Sequence, residues 1–117
     1  RSLLHWAAAY GNISIIRFLL SEKANPNTKD EDNWTPLLSA SSSGKVDVVA
    51  LLLEQPGIDI NQCNKIQCTP LHYACSKQHQ QIVELLLEND AKVDFKNKLG
   101  ATPLHRAAAG GNITILR

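Results

Sequence analysis

Cys63, Cys68, His72 and Cys75 fall within thirteen residues, a density of thiolate and imidazole donors that could hold a zinc ion. Their gaps of four, three and two residues do not match the paired spacing of a familiar structural zinc site. Ser41-Ser42-Ser43, with histidines elsewhere in the chain, could be read as a hydrolytic nucleophile and base. No glycine-framed elbow surrounds these serines, and no base and orienting group stand at recognisable positions. Gly110-Gly111 lacks the following Lys and Ser or Thr of a phosphate-cradling loop. Which of these groups meet depends on the elements that carry them.

Those elements repeat. Thr35-Pro36-Leu37-Leu38 recurs as Thr69-Pro70-Leu71-His72 and Thr102-Pro103-Leu104-His105, after a worn first copy at Ser2-Leu3-Leu4-His5, with spacings of 33, 34 and 33 residues. A fixed period of this length marks a stack of short structural units. Each copy continues into small residues, at Ala7 to Ala9, Ser39 to Ser43, Ala74 to Ser76 and Ala107 to Ala109. Pro suits the first turn of a helix, where its missing N–H needs no partner, and the preceding Thr caps it. Small side chains then let neighbouring helices approach closely, which predicts a tightly stacked inner helix. Gly11, Gly44 and Gly110-Gly111 end these helices, and Gln78 replaces the glycine once, so that turn is expected to be strained or extended.

A leucine-rich second helix follows at Ile13 to Leu20, Val46 to Leu53 and Ile82 to Leu87, apolar at three- and four-residue spacing, with Arg17, Asp47 and Glu84 on the wet side. Projecting hairpin turns are expected at Asp30 to Trp34, Asn64 to Cys68 and Asn97 to Ala101. The one extra residue fits best near Gln55-Pro56-Gly57. The fold predicted is all-α, a solenoid of stacked helix pairs with projecting β-hairpin turns, forming a single domain over 1–117 with repeats at about 1–29 (partial), 30–63, 64–96 and 97–117 (partial). No repeat buries both of its faces alone, so Leu3, Ile113, Ile115 and Leu116 at the two ends should be partly exposed, and end-to-end self-association is expected.

This register disposes of the chemistry considered first. His72 occupies the slot of His5 and His105, where it can hydrogen-bond across the turn, and Cys75 stands at an alanine position. Neither a metal, nor a cofactor, nor catalysis is expected.

Composition sets further bounds. The 117 residues are 44% hydrophobic and 20% charged, with a net charge of +1, so no global field draws in nucleic acid or an anionic membrane. No apolar run approaches the roughly 18 residues that cross a bilayer. Three cysteines offer no even disulfide framework, which fits an intracellular, reducing compartment. The opening Arg1-Ser2-Leu3-Leu4-His5 reads as neither a secretory leader nor a native start, so an internal piece of a longer protein is expected.

What remains is a binding face. The inner-helix segments 3–10, 36–43, 70–77 and 103–110 contain no Asp or Glu, and their only charges are Lys77 and Arg106, so a mildly basic groove is predicted. Trp6, Tyr10, Trp34 and Tyr73 fall on or beside these positions, and Trp, Tyr and Arg are enriched where interfaces concentrate their energy. Trp6 and Tyr73 either meet a partner or pack between neighbouring inner helices. Arg1, Lys77 and Arg106 are expected to pair with carboxylates of the partner, steering its approach more than setting affinity.

The Thr-Pro-Leu-His-x-Ala pattern at this period resembles the ankyrin-repeat family over the whole chain. Arg1 with Leu4-His5-Trp6-Ala7, Trp34-Thr35-Pro36-Leu37, Cys68 to Ala74 with Ser76-Lys77, and His105 to Ala109 are similar to the gankyrin-like group, associated with the proteasome's regulatory particle. The resemblance implies an assembly chaperone, cytoplasmic and nuclear, that clasps the acidic contact surface of one proteasomal ATPase subunit's C-terminal domain along its concave face. By register it places basic contact positions on Arg1 and Lys77, and a basic residue at Lys45. Leu38 and Ser39 depart from the group's usual His and apolar residue, which weakens the match in that repeat. Without that closer resemblance, the repeats read as an interaction module of a signalling or cytoskeletal scaffold.

Overall fold

The computed structural model describes residues 1–109, in seven helices: α1 Leu3–Tyr10, α2 Ile13–Ser21, α3 Pro36–Ser43, α4 Val46–Leu53, α5 Pro70–Ser76, α6 Gln80–Glu88 and α7 Pro103–Ala109. Inner helices α1, α3, α5 and α7 pack one on the next, each complete repeat folds its second helix back on its first, and α4 packs on α6. The outcome is the stacked helix-pair solenoid that the repeat period predicts.

Helix starts follow the local chemistry. Thr35 Oγ1 accepts from the Leu38 N–H at 3.2 Å, and Thr69 Oγ1 from the His72 N–H at 3.3 Å, with proline at the first helical turn of both helices. Ser2 caps α1 in the same way through the His5 N–H at 3.4 Å. The histidines reciprocate, since Nδ1 of His5 accepts from the Ser2 N–H and Nδ1 of His72 from the Thr69 N–H. Two unpaired donors are satisfied at each of these helix starts.

The core runs the length of the stack between the two helix layers. Ile16, Leu37, Val49, Leu52, Leu71, Ile82 and Leu86 are among its members, each 3% exposed or less. Ala8, Ala40, Ala74 and Ala107 are fully buried at the contacts between inner helices, the close approach that small residues permit. At the first repeat the same registers are open: Leu3 is 57% and Phe18 61% exposed, whereas Leu51, one period after Phe18, is 8% exposed. Ile113, Ile115, Leu116 and the Gly110-Gly111 helix end lie outside the described residues.

The projecting turns form as expected, and a single side chain organises each. Asp30 Oδ1 accepts from the Asp32 and Trp34 N–H groups, Asn64 Oδ1 from that of Cys68, and Asn97 Oδ1 from those of Leu99 and Ala101, all at 2.9 to 3.0 Å. Asp30 to Trp34, Asn64 to Cys68 and Asn97 to Ala101 each add a backbone bond across the turn, although no described residue is in a strand. Successive turns are tied together, Lys65 N–H to the Asp32 carbonyl at 3.1 Å and Lys98 N–H to that of Ile66 at 3.0 Å. Below them Asn27 bridges Gly57 and Asp59, and Asn61 accepts from the Lys92 N–H.

Gln78 takes the left-handed conformation at φ 60°, matching Gly11 at 80° and Gly44 at 75°. The turn keeps its geometry and the side chain carries the strain, because an L-residue crowds its own carbonyl there. Left-handed Lys23, Gly57 and Asp90 are spaced 34 and 33 residues apart, whereas Gly11, Gly44 and Gln78 are spaced 33 and 34. The extra residue therefore lies between Gly44 and Gly57, consistent with the loop at Gln55-Pro56-Gly57.

Candidate protein-binding face

The first hairpin turn and the inner helices line an open cleft of about 440 Å³ on the first two repeats. Its walls are Asp30, Glu31, Asp32 and Trp34 from the turn, Ala9, Ser39, Ser42 and Ser43 from the inner helices, and Arg1. This qualifies the expectation of a mildly basic groove. The described inner helices do lack carboxylates, but the hairpin acids Asp30, Glu31 and Asp32 edge the cleft. The basic residues stand farther along, Lys77 at the C-cap of α5 and Arg106 on α7.

Arg1 is engaged within the chain. Its Nε lies 3.3 Å from Asp30 Oδ2, an Nη donates to Ser39 Oγ at 2.9 Å, and the guanidinium carbon sits 5.5 Å from the Trp6 ring centre. Burial alone would raise the Asp30 pKa, but the Trp34 and Asp32 N–H donors, with the charge of Arg1, outweigh it and hold the carboxyl below its ordinary value. A partner's carboxylate at Arg1 must therefore compete with Asp30.

The aromatics separate into two pairs. Trp6, 46% exposed, stacks on Tyr10, 72% exposed, with ring centres 5.9 Å apart and planes 10° from parallel. Of the two readings of Trp6, exposure favours the contact surface. Tyr73 is half-buried, 4.8 Å from the Trp34 ring, and its hydroxyl accepts from Asn64 Nδ2 at 2.8 Å. Desolvation raises the Tyr73 pKa, partly offset by that bond. Tyr73 thus braces the second hairpin against α5, and Trp34 reaches from that brace to the acid-edged cleft.

The remaining cations differ in freedom. Lys77 is exposed at the end of α5 and has no ion pair among the described residues. Arg106 is half-buried, donating to Ser76 Oγ at 3.2 Å with its other Nη 3.9 Å from Cys68 Sγ, so it fastens α7 to the preceding repeat. Lys45 is half-buried at the start of α4, and its stem lies across Gly11, where a Cβ would come within 3.1 Å of its Cδ.

Packing withdraws His72, Cys68 and Cys75 from solvent. His72 uses both ring nitrogens, Nε2 toward the Ala101 carbonyl at 2.9 Å and Nδ1 at Thr69. Burial, the largest influence, lowers its pKa. Burial pushes the Cys75 thiol up to about 11, and Cys68 is fully buried. His5 makes the same link two repeats earlier, Nε2 to the Trp34 carbonyl at 2.7 Å. Leu38, fully buried, occupies the intervening slot.

Sequence reasoning passed over Glu31 and Asp32 as groove residues, and it passed over the tip residues Lys65, Ile66, Lys98 and Leu99. Aligning the tips by register would have exposed their change from acidic to basic and apolar.

Comparison with known proteins agrees with this geometry. The family described as "Ankyrin repeats (3 copies)" matches residues 1–64 and again 56–117. The probable 26S proteasome regulatory subunit p28 of Saccharomyces cerevisiae is 36% identical over 117 residues, covering 97% of this chain and 51% of the relative. The 26S proteasome non-ATPase regulatory subunit 10 of Dictyostelium discoideum is 53% identical over 55 residues, 46% of this chain and 24% of that protein. Human transient receptor potential cation channel subfamily A member 1 is 34% identical over 109 residues, 93% of this chain and 10% of the channel subunit. The chain spans about half the length, or less, of these relatives. With Thr-Pro helix starts at α3, α5 and α7, small-residue inner helices and linked hairpin turns, the chain belongs to the ankyrin-repeat family of protein-interaction modules.

Proposed function

We propose that this chain is a non-catalytic scaffold that holds a proteasomal ATPase subunit's C-terminal domain along its concave face during regulatory-particle assembly, in the cytoplasm and nucleus. The observation that carries the reading is the groove itself, acid-edged at Asp30, Glu31 and Asp32 and basic at exposed Lys77. Such a face selects a partner with opposite charges at two separated places, rather than one that is simply acidic. Similarity to the yeast proteasomal subunit over 97% of the chain supports the choice of partner. Three free cysteines, two of them buried, are compatible with a reducing compartment.

A second reading, an interaction module of an unrelated scaffold, is favoured by the similarity to the channel subunit over 93% of the chain. Affinity purification from cell extract at gentle salt decides between them. Recovery of regulatory-particle ATPases, reduced by Lys77→Glu and further by added Arg106→Glu, supports the proposal. Absence of those ATPases supports the second reading, and unchanged recovery with Lys77→Glu removes the groove from the account.

A further inference from the structure

The hairpin tips change character along the solenoid. At successive repeats one tip position holds Glu31, Lys65 and Lys98, and the next holds Asp32, Ile66 and Leu99. The backbone bonds from Lys65 to Asp32 and from Lys98 to Ile66 set these tips side by side. Ile66 is 53% and Leu99 91% exposed, and neither belongs to the core. One exposed leucine means little. Two aliphatic residues at the same register of adjacent turns, each preceded by an exposed lysine, form a continuous edge.

That edge is rigid by construction. Asn64 and Asn97 hold the turns through their side-chain oxygens, and Gln67 at φ 63° and Gly100 at φ 78° close them. Apolar groups on such turns lose little freedom on meeting a partner, which favours binding. Lys65 and Lys98 have no ion pair among the described residues. The acid-edged cleft has neither of these tips in its wall.

We propose that Lys65-Ile66 and Lys98-Leu99 form a second docking strip that takes a protein segment presenting apolar side chains flanked by carboxylates. The inference rests on the chain being a protein-interaction module and adds the chemistry of a contact outside the groove. Charge complementarity selects the occupant. Two uncompensated ammonium groups beside two aliphatic side chains match an acidic, amphipathic segment, whereas a basic segment is repelled here and drawn to Asp30 to Asp32.

Titration of the isotopically labelled chain with a short synthetic peptide of alternating Glu and Leu, followed residue by residue by NMR, tests the proposal. Saturable shifts are expected at 65–67 and 98–100, weakening as salt rises. Ile66→Ser with Leu99→Ser should weaken binding by about tenfold, as loss of a buried aliphatic contact implies. These sites are exposed, so the rest of the spectrum should be unchanged. Shifts absent from the tips, equal binding of a Gln-Leu peptide, or unaltered affinity in the serine variant would overturn the strip. Binding to phosphatidylserine vesicles without binding to the peptide would reassign it to a membrane surface and equally overturn it. Peptide binding at the tips without recovery of proteasomal ATPases from extract would sink the proposed partner alone.

Discussion

Replacing His72 by Leu should destabilise the chain by about 2 kcal/mol, and the number follows from three terms. The substitution leaves the Thr69 N–H, in a residue 1% exposed, without its Nδ1 acceptor, and an orphaned buried donor costs about 1–3 kcal/mol. It also removes the Nε2–H donation to the Ala101 carbonyl, whose net worth is about 1 kcal/mol. Leucine's greater apolarity offsets part of both, and steric cost is small because Leu38 fills the same register fully buried. In urea the midpoint should fall by about 1 M at unchanged slope, and the thermal midpoint by about 8 °C. The pH profile provides a second readout. His72 has a folded pKa below 6.5 because burial disfavours the imidazolium. Above about pH 6.5 the imidazole is neutral in both states, and its contribution is fully present. As pH falls below that value the unfolded chain takes up the proton first, so stability declines until the folded pKa is passed. That component should be missing from the Leu variant. A variant as stable as the parent, or parallel pH profiles for the two between about pH 6.5 and 5, would refute the role assigned to His72.

Other substitutions probe the backbone and the remaining side chains. Ser41 Oγ is buried without a partner among the described residues, so Ser41→Ala should raise stability by about 1 kcal/mol in the same urea assay, and a loss would show that the hydroxyl is satisfied. Gln78→Gly should stabilise by several tenths of a kcal/mol by relieving left-handed strain, whereas Gly44→Ala should destabilise by about 2 kcal/mol. The new Cβ at position 44 would lie 2.8 Å from His79 Cε1. Equal effects at the two positions would exclude this account. At pH 8 a thiol reagent should label Cys63 well before Cys75, which is buried with its pKa pushed to about 11, and equal rates would contradict the packing.

The helix pairs were legible in the residues because their determinants are local. Thr35-Pro36 and Thr69-Pro70 start helices through their own hydroxyl and ring, and Gly11 and Gly44 end them by permitting a left-handed turn. The 33-residue period then dictated stacking, since a one-sided helix pair must cover its apolar face with a neighbour. Even Gln78 was readable as a strained stop from the glycines at its register.

The electrostatic sense of the binding face was not legible in this way. Asp30, Glu31 and Asp32 lie before α3 in sequence, and only the placement of their turn beside α1 and α3 makes them a cleft wall rather than a solvated loop. Arg1 illustrates the same dependence. Its residue type announces a cation available to a partner, yet 29 positions further on Asp30 meets it at 3.3 Å. Helix boundaries depend on a few neighbouring residues, but the field in a groove depends on charges that the fold brings together, so spacing determined the repeats and the tertiary structure alone decided what they hold.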